Sequence, residues 1–219
     1  MHVVKDNPRQ NMVMQQLRPN QISDAGILSA LAAIDRSFFV DSAFAGLAFS
    51  EAELPIGEGQ SMLSPLLEGR LLQALALQPQ ETVLEIGTGS GYFTALLSKL
   101  AYQVITLELN EDLLAAAQQR LAELDIDNVE FRCMDASRGV ELSERIDAIV
   151  ATAAFAIAPE TCLHSLKVGG RMLVATGKAP AMQVQRITRI NEWQWQTENL
   201  FETVMPMICH AEPKTEFVF

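Results

Sequence analysis

Residues 83–92 read V-L-E-I-G-T-G-S-G-Y, and an acidic residue, Glu108, closes the next apolar run, V-I-T-L-E. An apolar stretch of strand type therefore runs into three glycines at alternate positions and then into a helical pattern that begins near Tyr92. Glycine suits backbone that must turn tightly and approach a ligand with no Cβ between them. A dinucleotide fingerprint has G-x-G-x-x-G with a helix N-terminus on a pyrophosphate. Gly87, Gly89 and Gly91 give G-x-G-x-G instead. Glu85, two positions before the first glycine, would repel a pyrophosphate but suits a cationic ligand. Asp135, in F-R-C-M-D-A, supplies another acceptor after the third apolar run. It reads either as a ligand contact or as a helix N-cap.

These residues need a scaffold that brings them to one edge, and from Glu81 onward the hydrophobic period alternates. Strands are expected over 82–86, 103–107, 129–133, 146–150 and 173–176, and helices over 91–100, 111–123 and 159–166. Such alternation implies right-handed βαβ crossovers and a parallel sheet covered on both faces. A ligand then lies outside the carboxyl ends of the strands, where Gly87, Glu108 and Asp135 fall. Before this core the chain reads helical and then irregular. An amphipathic stretch covers 11–17, Ser23 is a candidate cap for a helix through Ile34, and P-I-G-E-G-Q-S-M-L-S-P reads as turns. Ser64 followed by Pro65 is a strong helix start. After Gly177 the pattern turns to strands, at 184–190, 193–197 and a final E-F-V-F, which implies an antiparallel edge. The expectation is one α/β domain with a helical N-terminal cap and substrate-side loop (1–78), a cofactor core (79–178) and C-terminal strands (179–219).

With 219 residues, half of them hydrophobic, the chain can bury a full core without a second domain. A net charge of −11 weighs against a nucleic-acid partner, which is held chiefly by Lys and Arg on phosphates. No run has the length of a membrane span and no signal-peptide pattern opens the chain. Cys133, Cys162 and Cys209 are scattered without C-x-x-C or histidine at ligand spacing, so neither disulfides nor a metal is expected and a reducing cytoplasm is the expected location. His2, His164 and His210 lack motif context and read as surface or packing residues.

S-adenosylmethionine is a cationic, phosphate-free ligand, and the glycine window resembles motif I of the Rossmann-like class I methyltransferases. That resemblance implies that the loop Gly87-Thr88-Gly89-Ser90-Gly91, with Glu85 before it, passes under the methionine end. It also implies that Glu108, with Leu109 beside it, holds the ribose and that Asp135, with Ala136, meets the adenine; S-adenosylhomocysteine is the implied product. The chain also carries M-V-M-Q-Q-L-R at 12–18, I-S-D at 22–24, R-x-x-F-V at 36–40, L-P-I-G-E-G-Q at 54–60, D-A-I-V-A-T-A-A at 147–154 and L-K-V-G-G-R at 166–171. With these it resembles the protein-L-isoaspartate O-methyltransferases, P-I-G-x-G-Q being the most discriminating match. The resemblance implies isoaspartyl peptides or proteins as substrate and esterification of their stray carboxylate, a step that opens protein repair. It assigns Gln60, Ser61 and Ser64 to the acceptor side. Where the family has G-Q-T-I-S, this chain has Leu63 at the serine position, and leucine cannot donate a hydrogen bond. Tyrosine of the family's A-Y-x-D is Phe49 here, and R-F-V-P-L becomes T-V-M-P-M at 203–207. Two other readings therefore stand beside the first: a same-fold enzyme acting on another carboxyl, hydroxyl or small molecule, and a non-catalytic cofactor-binding protein.

Overall fold

A computed structural model describes residues 7–210. The described residues begin with a short helix α1 (Pro8–Asn11), a π-helical segment (Met12–Leu17) and a 3-10 turn (Arg18–Asn20). Helix α2 (Ala25–Ala33) follows, capped by the Asp24 carboxylate on the Ile27 amide rather than by Ser23. Asp has the same capping chemistry as Ser, so the neighbouring position takes the role. The stretch expected to be turns contains a hairpin, β1 (Leu54–Gly57) and β2 (Gln60–Met62). Its bend places Gly57, Glu58 and Gly59 in succession at positive φ, a conformation for which glycines were needed on either side of Glu58. Helix α3 (Pro65–Leu75) starts as its sequence implies, with Ser64 capping the Leu67 amide and proline in the first turn.

The core then alternates as expected: β3 (Thr82–Ile86), α4 (Tyr92–Ser98), β4 (Gln103–Glu108), α5 (Glu111–Glu123), β5 (Val129–Cys133), β6 (Ile146–Ala151), α6 (Glu160–His164) and β7 (Leu166–Lys178). Strands β8 (Ala181–Asn191) and β9 (Gln194–Thr203) complete a seven-stranded sheet of order β5-β4-β3-β6-β7-β8-β9. Pairing is parallel from β5 through β7 and antiparallel from β7 through β9. The fold is thus a Rossmann-like α/β sheet with an antiparallel C-terminal edge. The E-F-V-F segment and His2 lie outside the described residues.

Two apolar clusters flank the sheet. Leu84 and Ile86 of β3 join the cluster containing Cys162 and Leu166, while Val83 faces the cluster built from α3, α4 and the N-terminal segment. This alternation is the period-two geometry of a strand. Every residue of α4 is buried, because the N-terminal segment covers the side that would otherwise meet solvent. Its sequence, Y-F-T-A-L-L-S, accordingly has no charged face. Among the described residues, no helix is long and apolar enough to cross a membrane.

Candidate active site

At the carboxyl ends of β3, β4, β5 and β6 lies a cavity of about 280 Å³. Its walls come from six segments. The glycine loop gives Gly87 and Gly89, the end of β4 gives Glu108, Leu109 and Asn110, the segment after β5 gives Met134, Asp135 and Ala136, and the hairpin gives Ile56, Glu58, Gln60 and Ser61. Thr152 and Ala153 after β6 and Pro206, Met207, Ile208 and Cys209 close the remainder.

Glycine is required in the loop by two different neighbours. A Cβ on Gly87, at φ 98°, would stand 2.4 Å from Thr152 Oγ1, and that hydroxyl lies 2.8 Å from the Gly87 carbonyl oxygen, to which it donates. A Cβ on Gly91 would meet Leu121 and Ala117 of α5 at 2.9 and 3.0 Å. The third glycine therefore permits helix packing and does not form a cavity wall. Thr88 and Ser90 are also turned away. The Thr88 hydroxyl pairs with Thr106, and the Ser90 hydroxyl accepts from the Tyr92 amide.

Glu85 differs most from its expected role. It is fully buried on the α4 side of β3, where Oε2 accepts from the Thr94 and Thr106 hydroxyls at 2.6 and 2.7 Å. Oε1 has no partner, and burial pushes the carboxyl up to about 8 despite the two hydroxyl donors. A strand residue one place before Ile86 must point to the opposite face from it, so Glu85 lies behind the loop and does not line the cavity. The carboxylates on the cavity wall are Glu58, Glu108 and Asp135, and no Lys or Arg lines it among the described residues. An acidic, phosphate-excluding character survives, carried by different residues.

Glu108 organises the loop. Its Oε2 accepts from the Gly89 amide at 2.9 Å, and Oε1 accepts from the amides of Leu109 and Asn110 at 2.9 and 3.1 Å. Asp135 caps no helix. Its Oδ1 accepts from the Ser137 amide, and its Oδ2 lies 2.8 Å from His210 Nδ1. The His210 contact and then the Ser137 amide hold this carboxyl at about 2. His210 thus pairs with a cavity carboxylate, a contact that its sequence context did not signal.

On the other wall, Gln60 Nε2 contacts Cys209 Sγ at 3.6 Å and Ser61 faces the cavity. Ser64 does not reach the cavity, since its hydroxyl is engaged as the α3 cap. Leu63 is buried in the apolar core. In the wall Pro206–Cys209, Pro206 and Met207 belong to the T-V-M-P-M stretch that the family resemblance singled out, whereas Ile208 and Cys209 carried no such mark. This segment runs beside the end of β6, with the Ala154 amide donating to the Pro206 carbonyl and the Ile208 amide to the Ala154 carbonyl, both at 2.8 Å. It joins the site by a tertiary bridge that leaves no local periodic signal. Thr152 and Ala153, by contrast, belong to the T-A-A motif already visible in the sequence.

A profile of the protein-L-isoaspartate(D-aspartate) O-methyltransferase family matches residues 8–208. A protein-L-isoaspartate O-methyltransferase of Petrotoga mobilis is 37% identical over 188 residues, covering 85% of this chain and 88% of its own. A Vibrio cholerae protein of the same name is 40% identical over 172 residues, covering 78% of this chain and 83% of its own. Among solved structures, a Plasmodium falciparum protein assigned to these enzymes, in complex with S-adenosyl-L-homocysteine, superposes with a TM-score of 0.81 at 20% identity. The match covers 93% of this chain and 99% of that one, and it shows the shared fold.

Proposed function

The chain belongs to the protein-L-isoaspartate (D-aspartate) O-methyltransferase family, and from that membership we propose that the cavity described above is where it methylates isoaspartyl carboxylates. The protein is an S-adenosylmethionine-dependent carboxyl methyltransferase. The observation that carries the assignment to this cavity is the wall itself: glycine backbone on one side, three carboxylates, and no Lys or Arg lining it among the described residues. Such a wall disfavours a pyrophosphate and favours a ligand with net positive charge.

The residues present fit S-adenosylmethionine. Gly87 and Gly89 would let the backbone approach its methionine end, Glu108 would hold its ribose, and Leu109, Met134 and Ala136 would border its adenine, with Asp135 available as acceptor. Oε1 of Glu108 already receives two amides and Oε2 one. A carboxylate has about four lone-pair sites, so Glu108 would keep about one of them free for a ribose hydroxyl. Glu85, Thr88, Ser90 and Gly91 support this surface from outside it. When bound, the cofactor supplies an electrophilic methyl on a sulfonium and is left as neutral S-adenosylhomocysteine.

Little acid–base work falls to the protein. An acceptor carboxylate, with an ordinary value near ~4, is ionised at neutral pH and needs no general base. The hydroxyl of Ser61 and the amide of Gln60 are neutral donors on the acceptor side. They orient the carboxylate without the strong ion pairing that would lower its nucleophilicity. Hairpin and C-terminal segment hold the acceptor against the loop and exclude water, so catalysis is alignment. The acceptors are isoaspartyl-containing proteins, and ester formation there opens their repair, in a cytoplasmic setting. The test is release of S-adenosylhomocysteine on adding an isoaspartyl peptide, with its aspartyl isomer as control. Release dependent on the isoaspartyl isomer supports the assignment, and equal background with both overturns it.

A further inference from the structure

Arg36 is fully buried and attaches to three elements at once. Its Nη1 donates to the Glu68 carboxylate on α3, and its Nη2 donates to the Leu63 carbonyl oxygen. Its guanidinium lies over the Tyr92 ring, with Cζ 4.9 Å from the ring centre. Leu63 stands two residues after Ser61, beyond the end of β2, so its buried carbonyl has no ladder partner and needs a donor. Tyr92 follows Gly91 directly and opens α4, the helix that anchors the glycine loop. One side chain from the N-terminal segment therefore joins the acceptor-side hairpin to the cofactor-side loop.

We propose that Arg36 is a positioning residue for methyl transfer, one that sets the placement of Ser61 and Gln60 relative to Gly87 and Gly89. Stability alone is a weak reason for such a group. A buried ion pair is often matched or exceeded by packed apolar residues of similar volume, because desolvation opposes the Coulombic gain. What an apolar replacement lacks is direction. The planar fork donates to Glu68 and Leu63 along separate fixed lines while its face packs on Tyr92, a geometry that lysine does not reproduce. The Nε of Arg36 has no hydrogen-bond partner. The network therefore does not maximise its hydrogen bonds, and the donor on the Leu63 carbonyl is the contact that reaches the hairpin.

This inference rests on the cavity being the methyl-transfer site, and the test separates the two. Arg36→Lys and the double variant Arg36→Met/Glu68→Met, which leaves no unpaired buried charge, are compared with the parent. The readouts are kcat and KM for an isoaspartyl peptide and the calorimetric Kd for S-adenosylhomocysteine. A positioning role predicts that kcat/KM for the peptide falls about 10-fold or more in both variants while the Kd stays within about 3-fold, and that lysine does not rescue. A folded variant with parental kcat and KM overturns it. So does loss of turnover and of S-adenosylhomocysteine binding in proportion to the unfolded fraction, or failure of both variants to fold with S-adenosylhomocysteine in excess, since either assigns Arg36 to stability alone. A parent without turnover on the peptide contradicts the site reading itself.

Discussion

Leu63 occupies the position at which the family carries a serine, and its burial gives the substitution a different meaning from a missing donor. Ser61 presents its hydroxyl to the cavity, while Leu63 packs among the apolar residues behind it. Leu63→Ser is therefore expected to lower stability by about 2 to 5 kcal/mol, the range for truncating a buried leucine, without raising peptide methylation. Denaturant unfolding alongside the methylation rate checks this; a stable, more active variant contradicts the placement. Glu108 stands at the opposite extreme, with its carboxylate exposed to the cavity and holding the loop amides. Replacing it with glutamine removes one acceptor oxygen, and affinity for S-adenosylhomocysteine should fall about 10- to 150-fold, as for loss of a hydrogen bond to a charged group. Titration calorimetry measures the change, and an unaltered Kd would remove Glu108 from the cofactor site.

At the scale of elements, Ser64 belongs to α3 as its cap and not to the chemistry. Ser64→Ala should cost about 1 kcal/mol of stability and leave kcat unchanged once the protein is folded. A large loss of kcat at parental stability would return Ser64 to the acceptor site. The core elements were legible because each carries an undiluted local signal: β3 and β4 are apolar runs of strand length, and α5 has Asn110 capping the Leu113 amide ahead of a regular apolar stripe. The hairpin was not, since three residues at positive φ look like a string of turns until pairing of Leu54 with Met62 is seen. Glu85 was misplaced for a related reason. Its proximity to the glycines suggested a ligand contact, but strand alternation sends it to the α4 face, where Thr94 and Thr106 from two other elements receive it. Ile208, Cys209 and His210 reach the cavity's edge through contacts between distant parts of the chain, which no local pattern encodes.

Across the whole molecule, buried carboxyls set the pH response. Burial raises Glu85, which has no cationic partner, from an ordinary 4.5 to about 8. Between these values the folded protein keeps a proton that the unfolded chain has released, so the unfolded state binds fewer protons and stability falls as pH rises. The slope for one such group is about 1.4 kcal/mol per pH unit, fading as pH approaches 8. Asp147 and Glu81 are lowered, so their contributions are present above their ordinary values and are lost as pH falls through the depressed ones. Denaturant melts from pH 5 to 8 should show declining stability and a shallower slope in Glu85→Gln; a flat parental profile would contradict the buried, uncompensated carboxyl. Four of the seven strands end at the cavity, and the hairpin and the C-terminal segment line it together with the glycine loop, the arrangement that the proposed transfer from a methyl donor to a carboxylate requires. The most direct measurement is mass spectrometry of paired isoaspartyl and aspartyl peptides after incubation with the protein and S-adenosylmethionine. One base-labile methyl on the isoaspartyl carboxyl, and none on the aspartyl isomer, is the predicted result. A methyl on another group, equal labelling of the two isomers, or no methyl on either would contradict the account.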